Sequence, residues 1–144
     1  MQIVIGSDHA AFEMKEKIEA LLKEKGLSIF DVGTHSLESC HYPTYAIDLA
    51  RKVQKEHLQG ILLCGSGIGV SIVANRFKGV RAALCRTVED AKLSREHNNA
   101  NVIVFGARVS SFEDIQAMIE IWLKTPFAGG RHNERLALFD ELGV

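Results

Sequence analysis

Only three cysteines occur in this chain, at positions 40, 64 and 85, and no two of them form a Cys-x-x-Cys pair. An odd number, with no secretory signal ahead of the first strand, argues against a disulfide scaffold and for free thiols in a reducing, cytoplasmic setting. The histidines at 9, 35, 41, 57, 97 and 132 have no metal-ligand spacing to one another or to cysteine, so neither a metal nor any other cofactor is expected. Charge of one sign is missing too. The 17 Lys and Arg stand against 18 Asp and Glu, with no basic stripe to mark a nucleic-acid surface. No apolar run is long enough to span a bilayer, so a membrane partner is not expected either. What remains is an ordinary composition, 47% apolar and 24% charged over 144 residues, which fits one compact domain covering 1–144.

Within that domain, short apolar, β-branched stretches alternate with longer segments of helical period, the pattern of a parallel sheet covered by helices on both faces. The expected fold is α/β: a three-layer α/β/α sandwich on a five-stranded parallel, Rossmann-like sheet. Strands are expected at Gln2 to Ile5, Ser28 to Val32, Gly60 to Cys64, Arg81 to Cys85 and Asn101 to Phe105. The first helix should run from about Ala10 to Lys25, with Ala11, Met14, Ile18, Leu21 and Leu22 on its apolar face and Gly26 behind it. Pro43 suits the first turn of the second, which carries Ala46, Leu49, Ala50 and Val53 inward. Thr87 to Asp90 has the form of a capping box for a helix reaching about Glu96. Ser111 caps another, whose Ile115, Met118, Ile119 and Trp122 repeat at helical spacing, and Asn133 to Glu141 reads as a last short helix.

Ligands of open parallel sheets bind beyond the C-terminal strand ends, which directs attention to five loops. The third is the most informative. A buried strand stops at Cys64, and Gly65, Gly67 and Gly69 then alternate with other residues before a helix begins. Alternating glycines let backbone N–H groups converge into an anion nest, and a helix N-terminus favours a thiolate, so Cys64 is a candidate general base beside an oxyanion site. The bland alternative is a structural cysteine, which is the reading given to Cys85. The loop lacks both the Gly-Lys-Ser/Thr ending of a P-loop and the Gly-x-Gly-x-x-Gly of a dinucleotide fold. The Ser66 hydroxyl is placed to donate or shuttle a proton.

The other loops hold Asp8 and His9 at a helix mouth, equally an N-cap with a solvated neighbour or a phosphate site. They also hold Tyr42, His97 with Asn98, Arg108, and the pair Arg131 and Arg135, four apart on one helical face. A base, an oxyanion nest, a hydroxyl, histidines and an arginine clamp together match proton transfer beside a carbonyl in a small phosphorylated molecule.

In chain order, Gly6-Ser7-Asp8-His9-Ala10, Asp31-Val32-Gly33-Thr34, Tyr42-Pro43, Cys64-Gly65-Ser66-Gly67-Ile68-Gly69 and Ala74-Asn75 resemble the type B ribose-5-phosphate isomerase family. So do Gly79-Val80-Arg81-Ala82, Arg95 through Asn101, and Gly129-Gly130-Arg131-His132. The resemblance implies interconversion of ribose 5-phosphate and ribulose 5-phosphate in pentose phosphate metabolism, through a cis-enediolate and without a metal. It implies Cys64 as base, Ser66 and the glycine loop as enediolate stabilisers, and Asp8 and His97 at the sugar end where the ring opens. His9, Arg131 and Arg135 would take the phosphate, with Tyr42 and Asn98 near the sugar. It further implies strand order 2-1-3-5-4 and a homodimer with active sites at the subunit interface, Arg108 reaching in from the partner; whether dimers pair into tetramers stays open. His41 stands where many ribose isomerases carry Asp and where related galactose-6-phosphate isomerases often carry His. A hexose-6-phosphate isomerase on the same scaffold is therefore the nearest alternative, with a non-catalytic phosphosugar sensor behind it.

Overall fold

The computed structural model describes residues 1–144. Five strands, β1 (Gln2–Ser7), β2 (Ser28–Asp31), β3 (Gln59–Cys64), β4 (Ala82–Leu84) and β5 (Val102–Gly106), form one sheet in the order β2-β1-β3-β5-β4. Every pairing is parallel. This is the order and architecture that the resemblance implies. Six helices connect and flank the strands: α1 (Phe12–Glu24), α2 (Tyr42–Glu56), α3 (Ile68–Ala74), α4 (Val88–Glu96), α5 (Phe112–Lys124) and α6 (Arg131–Ala137).

Strand alternation sorts the core into two layers. Ile3 and Ile5, Ile61 and Leu63, and Ile103 and Phe105 point to one face, where Ile18 and Leu22 of α1, Ala91 of α4 and Ile115, Met118, Ile119 and Trp122 of α5 cover them. Val4, Leu62, Val102 and Val104 point to the other, under Leu49 and Val53 of α2 and Val70 and Ala74 of α3. A period of two places alternate residues of one strand on opposite faces, so strands buried on both sides must read as continuous apolar runs. Cys64 is the last residue of β3 and belongs to the second layer.

Helix ends follow local chemistry. Thr87 accepts the Asp90 N–H at 3.1 Å and Ser111 the Asp114 N–H at 3.2 Å, each satisfying an otherwise orphaned donor. Two boundaries differ from expectation. The first helix is preceded by a 3-10 turn over His9–Ala11, because Asp8 caps that turn through its own side chain. The last helix is Arg131–Ala137, not Asn133 to Glu141: the chain reverses at Gly129 and Gly130, both at positive φ, and Gly130 is already the N-cap. No helix is long and apolar enough to cross a membrane.

Candidate active site

The β3–α3 turn is fixed by its backbone. Cys64 is 5% exposed, and its sulfur accepts the Gly67 N–H at 3.1 Å, so an amide points at the atom that would carry a thiolate charge. Gly67 is the N-cap of α3 at φ +80°, and a Cβ there would lie 2.6 Å from Leu84 Cδ1 and 3.0 Å from the Phe105 carbonyl. Only glycine meets both demands. The Ser66 hydroxyl oxygen accepts the Ile68 N–H at 3.1 Å, which leaves its proton free to donate. Ala107 N–H to the Cys64 carbonyl at 2.9 Å and Arg108 N–H to the Gly65 carbonyl at 3.0 Å tie this turn to the end of β5.

Tyr42, Cys64, Gly65, Ser66, Gly69 and Arg108 border one open cavity of about 550 Å³. Tyr42, the first residue of α2, lays its ring on Gly69 so closely that a Cβ there would be 2.6 Å from two ring carbons. Arg108 extends over Gly65 of its own chain, its guanidinium 3.2 Å from where a Gly65 Cβ would stand. The expectation that this residue reaches in from a partner is not needed to bring it to Cys64. Cys85 is buried on the opposite sheet face, and burial, then the neighbouring Asp90 charge, pushes its thiol up to about 12. That is a structural cysteine.

The β1 loop lies one strand away, since β1 pairs with β3 through Ser7 opposite Leu63. Asp8 is 8% exposed and accepts the Ala11 N–H at 3.3 Å, so it is the N-cap that the sequence suggested. His9 accepts the Cys40 N–H at Nδ1, at 3.2 Å, with the Cys40 sulfur 3.7 Å from the same nitrogen. In the neutral ring this assigns the proton to Nε2, a donor of the kind a phosphate needs.

The remaining residues are elsewhere. His97 caps the C-terminus of α4, just before β5 begins, and therefore belongs to the N-terminal edge of the sheet. From Gly60 to Cys64 the strand climbs about 13 Å, so one chain holds His97 and Cys64 at opposite sheet edges. His97 stacks on His132, ring centroids 4.5 Å apart and planes 20° apart. His132 is buried in the first turn of α6, between the exposed Arg131 and Arg135. Burial, and then His97, Arg131 and Arg135, hold the His132 ring below the usual histidine range. Asn98 borders a different cavity, of about 610 Å³, with Arg81, Phe139 and Asp140, and shares none of its lining with Cys64.

His132 and Cys40 were not singled out as site residues from the sequence. His132 carried a signal, since it falls between two candidate arginines; Cys40 carried none, because its contact with His9 spans 31 positions and depends on the β2–α2 loop.

A Rossmann-like parallel sheet thus carries, at the C-terminal end of β3, a buried thiol that accepts a backbone amide, next to a serine hydroxyl and an arginine. The chain belongs to the ribose/galactose isomerase family, whose description matches residues 3–139. Ribose-5-phosphate isomerase B of Escherichia coli is 43% identical over 136 residues, 94% of this chain and 91% of that protein. The galactose-6-phosphate isomerase subunit LacB of Clostridium acetobutylicum is 38% identical over 137 residues, 94% of this chain and 79% of that one. Among solved structures, a ribose 5-phosphate isomerase from Thermotoga maritima superposes with a TM-score of 0.94 at 46% identity, covering 96% of this chain and 97% of that one.

Proposed function

We propose that the protein interconverts D-ribose 5-phosphate and D-ribulose 5-phosphate through a cis-enediolate, with Cys64 as the base. The observation that carries this is the Cys64 sulfur, bonded to the Gly67 amide at the border of the cavity that Ser66, Gly65, Gly69, Tyr42 and Arg108 share. The Cys64 thiolate takes the C2 proton of the open-chain aldose, and its electron pair moves onto the carbonyl oxygen. Amides of the glycine loop face that developing charge. The Ser66 hydroxyl relays a proton between O1 and O2, and the thiol returns its proton to C1, so electrons and protons balance within the substrate. His9 donates from Nε2 to the phosphate, Tyr42 meets a sugar hydroxyl, and Asp8 lies at the end where the furanose opens.

His97, Asn98, Arg131 and Arg135 complete the site from a second copy of the chain. The separation of His97 and Cys64 to opposite sheet edges supports this, because a single chain cannot bring them to one substrate. A homodimer with two shared sites follows. Three unpaired thiols support a reducing compartment, the cytoplasm.

Replacing Cys64 by Ala tests the mechanism: turnover should fall by about 10³-fold or more with the fold unchanged. Near wild-type turnover would refute Cys64 as base. His41 at the α2 N-cap, together with the LacB relative, favours a hexose 6-phosphate as the second reading. Turnover of ribose, allose and galactose phosphates side by side decides between them, and saturable binding with no exchange of the C2 proton into solvent would mark a sensor.

A further inference from the structure

Lys15 has the wrong chemistry for its place. It lies on the apolar face of α1 between Ala11, Ile18 and Leu22 and is completely buried. Its ammonium contacts Asp31 at the end of β2, with Glu16 at 3.4 Å and Glu19 at 4.0 Å. The oxygens of Glu16, Glu19 and Asp31 come within 4.8 Å of one another, and Lys15 is the cation they hold. A buried charge of this kind is weak evidence for stability, since a well-packed apolar pair often serves as well. Its value has to be sought in geometry.

That geometry leads to the substrate loops. Asp31 uses one oxygen for Lys15 and the other to accept the Gly33 N–H at 2.7 Å. The Gly33 carbonyl then accepts the Ser7 N–H at 2.7 Å, and the Thr34 N–H donates to the Ser7 carbonyl at 2.6 Å. Both polar groups of the Ser7 backbone are thereby clamped by the β2–α2 loop. Ser7 is buried, donates its hydroxyl to the Asp8 carbonyl at 3.0 Å, and is followed directly by Asp8 and His9. The same loop returns at Cys40 to bond His9 and then delivers Tyr42.

Resting on the isomerase reading above, we infer that Lys15 and Asp31 are positioning residues for catalysis: their partly buried ion pair sets Gly33 and Thr34, which fix Ser7 and so aim Asp8 and His9 at the sugar ring and phosphate. Neither residue touches substrate. A side chain displaced by about 1 Å at such a site can cost as much as 10²-fold in rate, which makes a remote clamp kinetically visible.

The test uses Lys15→Met with Asp31→Asn, which removes both charges of the pair together and leaves Glu19 as the carboxyl remaining beside them. Three readouts are compared with wild type: turnover of ribose 5-phosphate, its KM, and solvent deuterium wash-in at C1 of ribulose 5-phosphate at saturation. The ketose is open-chain, so its exchange needs Cys64 but no ring opening. In a folded double variant, aldose turnover should fall about tenfold or more and KM should rise, while wash-in changes less than about threefold. Aldose turnover and KM within about twofold of wild type would overturn the proposal, and so would a loss of all three readouts by one common factor, the mark of a merely lower folded fraction. If the double variant does not fold, Asp31→Glu keeps the ion pair and displaces only the Gly33 contact. The same split at smaller size is then expected, and wild-type values overturn the proposal. A wild-type protein that isomerises no pentose phosphate would remove the isomerase reading itself, a failure separable from the others because it needs no variant.

Discussion

The two ends of the sheet are built in different ways. At the C-terminal edge the candidate reactive atoms are set by backbone: Cys64 by the Gly67 amide, Ser66 by the Ile68 amide, and the whole turn by bonds to Ala107 and Arg108. At the N-terminal edge His97 and His132 hold each other by stacking, while Arg131 and Arg135 stand exposed on a helix of seven residues. A base that must meet a C–H bond needs a fixed approach, which backbone amides provide within one chain. Groups that grip a phosphate and open a ring tolerate a looser mount and can be supplied across an interface. Under the proposed shared site, one half would be preorganised by folding and the other by association.

The largest effect should separate the halves outright. When pure, Cys64→Ala should lose about 10³-fold in turnover and His97→Asn about 10–100-fold. If the halves meet only across two chains, unfolding and refolding the two variants together should restore activity, because a mixed dimer contains one site with Cys64 and His97 both intact. Random pairing predicts recovery to about a quarter of wild type. Mixed protein no more active than the sum of its parts would show that each chain supplies its own histidine, contrary to the sheet geometry.

A smaller effect probes how rigidly the preorganised half is set. Gly67→Ala forces a side chain into the left-handed region against the Phe105 carbonyl and Leu84. It should cost about 2–4 kcal/mol of stability in denaturant titration and, by shifting the amide on the Cys64 sulfur, lower turnover as well. No comparable position exists on α6, where a Cβ added at Gly130 meets nothing within 4 Å. Gly130→Ala is disfavoured by its φ of +59° alone and should cost about 1–2 kcal/mol.

Most of the fold was legible because burial on both sheet faces leaves continuous apolar runs, and capping residues such as Thr87 and Ser111 mark helix starts locally. The geometry of the Cys64 turn was legible for a local reason: strand, thiol, glycines and helix are consecutive, so spacing carries it. Strand order is not written in periodicity and came only with the family resemblance. Lys15 was not legible as a buried charge, because its partner Asp31 lies 16 positions away and across a helix–strand contact. Cys40 on His9 and His132 on His97 depend likewise on where loops and helix ends return, which no local pattern encodes. The start of α6 is displaced from Asn133 because a Gly-Gly turn does not show locally how soon a helix follows it: Gly130 is already the N-cap.

The smallest effect concerns acid, and the two ends should respond with opposite sign. Burial, then the hydrogen bond and charge of Asp31, push Glu19 up to about 7, opposed by Lys15. A carboxyl whose folded value is raised favours the native state while it is protonated in both forms, and this contribution is lost as pH climbs from about 4.5 to about 7. Asp31 shifts the other way: burial alone would raise it, but hydrogen bonds from Glu19, Lys15 and Gly33 hold it below the usual carboxylate range. Its contribution is present above about pH 4 and fades only in stronger acid. His132, held below the histidine range, stabilises the native state above about pH 6.5 and loses that contribution as pH falls. Acidifying from pH 7 to 5 should thus strengthen the Lys15 cluster and weaken the His97 stack. Relative to wild type, Glu19→Gln should flatten the gain, worth roughly 1 kcal/mol after allowing for partial solvent screening, or about 2–4 °C in Tm. His132→Gln should flatten the loss. Thermal unfolding of both variants at pH 5 and 7 reads the two slopes separately; slopes of the same sign would mean that the two ends do not differ in the electrostatic character assigned to them.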